Sequence, residues 1–293
     1  GQRASIQGTY QLVALIGAHI SAAGGIHKAF ARADALSCES MQIFTRNQRQ
    51  WLSKELAFSE IEDFYRASKE STVKSVVSHA SYLINLAGEC DIRQKSEEAL
   101  VAEIKRCHAL SIPRVVLHPG FSGNYTADTA LKMVSESLLR VFEMTSDTQV
   151  SVLLETMAGQ GSVVGSEFGH LAVILDLVSD HPRLGFCIDM CHIFAAGYEI
   201  RSYESYNRIV SLLSKQIGLD NIGCWHLSDS KMGRGSKKDR HAHLGQGEIG
   251  LNPFAMLVSD RRFENIPAIL ETPKDGGGDK ENLSILRKLR GYK

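Results

Sequence analysis

Leu184-Gly185-Phe186-Cys187-Ile188-Asp189 runs five residues without a polar side chain straight into a carboxylate, and Met190-Cys191-His192 then sets an imidazole about one helical turn later. A short apolar run that does not alternate with polar residues suits a strand covered on both faces of a parallel sheet. Working outward, seven more short aliphatic runs recur at 12–20, 41–45, 73–78, 114–117, 150–154, 222–225 and 266–270. Between them lie amphipathic helical patterns at 59–69, 96–110, 127–145, 167–179, 203–217 and 253–262. Eight strands alternating with helices predict an α/β fold, a single (β/α)8 TIM barrel. No Pro/Gly/Ser linker divides the chain, and 276–278 reads as the loop before the last helix. Residues 1–10 read as an N-terminal extension and 11–293 as the catalytic barrel, and the opening Gly1 suggests the trimmed start of a longer parent.

Composition narrows the class further. Hydrophobic residues at 43% and charged residues at 23% exclude disordered, collagen-like and coiled-coil chains. The longest apolar runs, 12–17 and 171–175, fall far short of the roughly 20 residues that span a bilayer, so no membrane partner is expected. Cys38, Cys90, Cys107, Cys187, Cys191 and Cys224 form no C-x-x-C pair and predict a reduced, intracellular protein. Cys187 and Cys224 fall inside apolar strands, where a thiol acts as a small hydrophobe. A formal net charge of +0, taken alone, argues against a nucleic-acid partner.

The strand ends carry the chemistry. The eight runs finish at His19, Thr45, His79, His118, Glu155, Asp189, His226 and Glu271. A barrel collects the C-terminal ends of its strands at one face, where active sites form. A single histidine at a strand end is more often a packed or capping group, but His, Asp or Glu at seven equivalent ends are not explained that way. His192 follows Asp189, and Asp239-Arg240-His241 adds two more donors after the seventh strand. Setting His19 aside as a packed or supporting histidine leaves five imidazoles and four carboxylates with no thiolate. That donor set suits zinc or manganese, and imidazole favours zinc. It is too large for one tetrahedral ion and fits a cluster of two or three.

With these motifs in view, the sequence resembles the endonuclease IV family of apurinic/apyrimidinic endonucleases, zinc-dependent barrel enzymes of base-excision repair. The resemblance runs from about Leu15 to Arg290 and rests on GAHISAAGG at 17–25, NQRQW at 47–51, HASYLINLA at 79–87, LHPG at 117–120 and LLETMAGQGS at 153–162. It continues through CIDMCHIFAAGY at 187–198, WHLSDSK at 225–231, DRHAHLGQGEIG at 239–250 and LETP at 270–273. It implies three Zn2+ per chain, with Mn2+ an alternative at one site. His79 and His118 would hold the first, and Glu155 would bridge it to a second completed by Asp189, His226 and Glu271. His192, Asp239 and His241 would hold the third. Glu155, Asp189 and Glu271 are the expected catalytic set, with Glu271 also a candidate base; the bridged pair is expected to bring a shared water toward neutral pKa.

The implied partner is double-stranded DNA containing abasic sites or blocked 3′ ends. Cleavage 5′ to the lesion would leave a 3′-hydroxyl. Arg49 and Gln50 are expected to insert into the duplex and Tyr82 to wedge the minor groove, whereas Trp51 reads as packing. Lys231 and Arg240 lie in a stretch that also holds Arg234, Lys237 and Lys238, which reads as a phosphate-contacting loop beside the ligands. Three divalent cations would turn the neutral chain cationic where it matters. A monomer is expected, located in the nucleus or mitochondrion of a eukaryote or the cytoplasm of a bacterium. A two-metal sugar isomerase or epimerase on the same barrel is the rival reading; it has no need of Asp239-Arg240-His241 or of the Arg49 loop. A damage-binding protein without chemistry would have no need of nine donors.

Overall fold

The computed structural model describes residues 13–51 and 53–291. The extension expected at 1–10 and the first residue of the first predicted strand lie outside them. Strands β1 (Leu15–His19), β2 (Ser40–Ile43), β3 (Ser75–His79), β4 (Arg114–Leu117), β5 (Ser151–Glu155), β6 (Leu184–Asp189) and β7 (Ile222–Leu227) run parallel. A two-residue hairpin, β8 (Asp229–Ser230) with β9 (His241–Ala242), interrupts the series before β10 (Pro267–Leu270) closes the barrel against β1. The predicted (β/α)8 barrel is thus the observed fold.

Outside the barrel lie α1 (Lys28–Ala35), α2 (Phe58–Glu70), α3 (Cys90–Ala109), α4 (Ala127–Met144), α5 (Phe168–Leu177), α6 (Met190–Ala196), α7 (Tyr203–Gln216), α8 (Asn252–Val258) and α9 (Gly278–Gly291). Two helices depart from the sequence reading. α3 starts at Cys90 rather than 96, because the Ser96 hydroxyl bonds back to the Ile92 carbonyl at 2.6 Å and the helix passes through it. The helix read at 253–262 stops at Val258. There Asp260 accepts the Arg262 amide at 3.0 Å and starts a separate 3-10 turn, Arg261–Phe263. Gly278 belongs to α9, so only the first two glycines of that stretch remain loop. Among the described residues no helix is long and apolar enough to cross a membrane.

The barrel interior is stacked. Val77, Val116, Leu153, Cys187, Cys224 and Ile269 form a dry cluster across its middle. Glycine makes room for the largest of them: a Cβ on Gly185 or Gly223 would lie 2.7 or 2.8 Å from Leu153 Cδ2. Cys187 and Cys224 are buried in this apolar layer, as the sequence predicted, with their sulfurs and a ring nitrogen of His226 above them within 4.8 Å of one another. This packed floor supports the basin above it.

Candidate metal centre

Side chains two apart on a strand face the same way. Each floor residue is therefore followed, two positions on, by another inward-facing group: His79, His118, Glu155, Asp189, His226 and Glu271. Glu155 stands in the middle. Its Oε2 lies 2.9 Å from His118 Nε2 and 3.3 Å from His79 Nε2. Its Oε1 lies 3.1 Å from His226 Nδ1. His226 Nδ1 is also 2.9 Å from Glu271 Oε1 and 3.7 Å from Asp189 Oδ2. To one side, Asp239 Oδ1 is 3.1 Å from His192 Nε2 and 3.0 Å from His241 Nε2. All nine donors expected from the sequence meet, in three groups whose donor atoms lie within 4.8 Å of one another: His79–His118–Glu155, Glu155–Asp189–His226–Glu271 and His192–Asp239–His241.

The hydrogen bonds behind these groups decide what they can hold. His79 Nδ1 faces the Ala80 carbonyl, His192 Nδ1 the Thr156 carbonyl and His241 Nδ1 the Glu271 carbonyl, each at 2.7 Å. A carbonyl only accepts, so each Nδ1 carries the proton and each neutral ring turns its Nε2 lone pair into the basin. His192 Nε2 and His241 Nε2 then face each other at 3.4 Å across Asp239. Asp189 uses Oδ1 to cap α6 through the His192 amide at 2.8 Å, while its buried Oδ2 has no hydrogen-bond partner among the described residues. Lone pairs converging on lone pairs, with an orphaned buried carboxylate oxygen, are repulsive unless protons or cations sit between them. Imidazole and carboxylate donors in sets of three and four match zinc. Cys191, also near, donates its thiol to the Arg240 carbonyl at 3.8 Å and is pushed up to about 12 by burial, so it stays protonated.

Without cations, the charges balance through the imidazoles. Burial pushes Glu155 up, but His226 and His118 outweigh it and hold the carboxyl well below its usual range. Glu271 is likewise held low against burial, by His226. Asp189 goes the other way: burial raises it to about 6 despite His192 and His241. His19 stays out of the donor set; burial drops it to about 3, and its Nδ1 lies 3.0 Å from the amide nitrogen of Gln42.

A cavity of about 400 Å3 opens over the centre between Tyr82, His118, Phe121, Met157 and Gln160. Tyr82 is 53% exposed yet packs its ring 5.1 Å from that of His79, so it borders both the donors and solvent. Arg49 and Gln50 are exposed on the loop after β2. Arg46 ties that loop by bonding the Gln50 and Trp51 carbonyls at 3.0 and 3.1 Å, and Arg106 bonds the Thr45 and Lys54 carbonyls. Trp51 is half-buried and packs against the core, as read. Lys231 and Arg240 are exposed and paired through Lys231 N–H to the Arg240 carbonyl at 2.9 Å. Beneath them Asp229 accepts backbone N–H groups from Ser230, Gly245, Ile249 and Gly250 at 2.7–3.3 Å, shaping the loop that delivers Asp239 and His241. His243 turns away to Asn282 and Asp275.

Sequence reading missed Asp229 and Gln42. An Asp between two serines just past an apolar strand, and one amide inside an apolar strand, were the available signals.

The chain matches the model of the xylose isomerase-like TIM barrel over residues 30–289. It is 44% identical over 276 residues to a probable endonuclease 4 of Chloroflexus aurantiacus, covering 93% of this chain and 97% of that one. A probable endonuclease 4 of Trichlorobacter lovleyi is 41% identical over 277 residues, covering 94% and 99%. The crystal structure of endonuclease IV from Thermus thermophilus superposes with a TM-score of 0.85 at 34% identity, covering 95% of this chain and 100% of that one. By its barrel, its motifs and these relatives, the chain belongs to the endonuclease IV family of the xylose isomerase-like TIM barrels.

Proposed function

We propose that this chain is an apurinic/apyrimidinic endonuclease of base-excision repair, hydrolysing the phosphodiester 5′ to an abasic site with three zinc ions and leaving a 3′-hydroxyl. Removal of 3′ blocking groups is part of the same reading. The observation that carries it is the convergence of nine donors in three groups, their imidazoles oriented from behind so that lone pairs face inward. His79, His118 and Glu155 would hold one ion; Glu155, Asp189, His226 and Glu271 a second; His192, Asp239 and His241 a third, with manganese an alternative at one position. Zinc bound there supplies Lewis-acid chemistry, neutralising phosphate charge and drawing the acidity of water toward neutral pH.

The protein's own groups do the rest. Glu155 belongs to two of the groups and keeps them in register. Glu271, bonded by Gln42 through Oε2, keeps Oε1 toward the basin, where it can take a proton from an attacking water. The dry floor below the centre leaves water and substrate the open face only. Arg49 and Gln50 would fill the gap left by the missing base, and Tyr82 would press into the minor groove beside the opened lesion. Lys231 and Arg240 would contact phosphates and fix register without reading sequence. One chain carries all these groups, so a monomer suffices. The compartment is then that of the DNA: nucleus or mitochondrion in a eukaryote, cytoplasm in a bacterium.

Metal content per chain, measured with incision of a duplex carrying one abasic analogue before and after chelation, tests this. About three zincs and 5′ incision that chelation abolishes are expected. One or two metals without incision would overturn the reading and return the chain to its barrel's sugar chemistry.

A further inference from the structure

Gln42 lies in β2, a strand that offers the basin no ligand of its own, and is fully buried. Its amide meets three groups: Nε2 lies 3.1 Å from Glu271 Oε2 and 3.0 Å from His19 Nδ1, and Oε1 lies 2.7 Å from His226 Nε2. The orientation is forced. A carboxylate accepts only, so the NH2 must face Glu271 and the carbonyl oxygen must face His226. That oxygen also accepts only, so His226 must carry a proton on Nε2. Its lone pair is then on Nδ1, the atom 3.1 Å from Glu155 and 2.9 Å from Glu271. His226 is therefore held in the tautomer opposite to that of His79, His192 and His241, whose protons are on Nδ1. Backbone carbonyls set those three; a side chain sets this one.

We infer that Gln42 is a positioning residue of the middle metal group, selecting the His226 tautomer and aiming Glu271 so that both present lone pairs to one ion. The inference rests on the three-zinc reading above and adds to it a residue that touches no ion. Loss of such an outer hydrogen bond to a ligand weakens metal binding by roughly 10–100-fold.

Two substitutions separate this role from packing. Gln42→Met is close in volume and apolar; it frees His226 to move its proton and releases Glu271. Gln42→Glu keeps an acceptor for His226 Nε2–H and, because two buried carboxyls in contact share a proton, keeps a donor toward Glu271 Oε2. Were Gln42 only a space-filler, methionine would be mild and a buried extra carboxylate beside Glu271 severe. The inferred role reverses that order. Zinc release into a graded chelator, followed optically in the full chain, reads it out, with circular dichroism of the chelated proteins as the folding control. Expected is about 10–100-fold easier release of one of three zincs from Gln42→Met, the others unmoved, and recovery of most of that loss in Gln42→Glu. Unchanged release from Gln42→Met, or weaker retention by Gln42→Glu than by Gln42→Met, overturns the inference. A wild-type protein holding fewer than three zincs overturns the three-zinc reading and this inference with it, so the two failures appear in different samples.

Discussion

Val77, Val116, Leu153, Cys187, Cys224 and Ile269 plug the barrel, and two residues further along the same chain stand His79, His118, Glu155, Asp189, His226 and Glu271. One pleat, about 6–7 Å, separates the two layers. Backbone and direction are shared, so the difference lies in the side chains alone. The lower layer is dry and needs nothing but shape. The upper layer buries Glu155 and Asp189 completely, and such charges are tolerated only when paired. The apolar layer also serves the polar one: by keeping water out from below, it strengthens every charge interaction above it. Stability and chemistry are thus divided between adjacent rungs of one ladder.

Glu155 is where that division breaks most sharply. Glu155→Gln keeps the shape and removes the charge common to two groups. Since a metal site contributes several kcal/mol to a phosphodiester transition state, incision should fall about a thousandfold, with fewer than three zincs retained. Near-normal incision by that variant would detach the chemistry from this layer. Leu153→Ala, one pleat below, should do the reverse. It opens a cavity beside Gly185 and Gly223 and should cost about 2–5 kcal/mol in urea unfolding of the chelated protein. Incision per folded molecule should persist; if zinc were lost in proportion to stability, the two layers would not be separable.

The smallest effect is electrostatic and belongs to the upper layer alone. Burial pushes His241 down, but Asp239 and Asp189 outweigh it and raise it to about 9. A folded-state value above the roughly 6.5 of an unfolded chain means that the stabilisation is complete below about pH 6.5. It is lost as pH rises through about 9. The melting temperature of the chelated protein should therefore drop on the order of 2–4 °C between those limits. Added zinc should reverse the trend, because it replaces the same protons. A flat profile in the chelated protein would show that Asp239 does not hold His241.

Much of this was legible along the chain, and for a local reason. A short apolar run marks a buried strand where no helical pattern encloses it, and a donor closing the run marks its upper end. β4 has the bounds read from sequence, whereas the run at 171–175, inside the helical pattern at 167–179, lies in α5. The misread helices were also local matters: Ser96 satisfied its hydroxyl within the helix, and Asp260 satisfied its carboxylate within a turn. What pattern alone could not supply was partnership. That nine donors divide into three groups, that His226 turns Nδ1 inward while its neighbours turn Nε2, and that Asp229 gathers three amides from a distant loop all depend on which segments become neighbours. Periodicity records whether a side chain is buried and on which face. Gln42 meets residues 226 and 271 only because the closed barrel brings their strands around one axis, and that distance is written nowhere in the order of the residues.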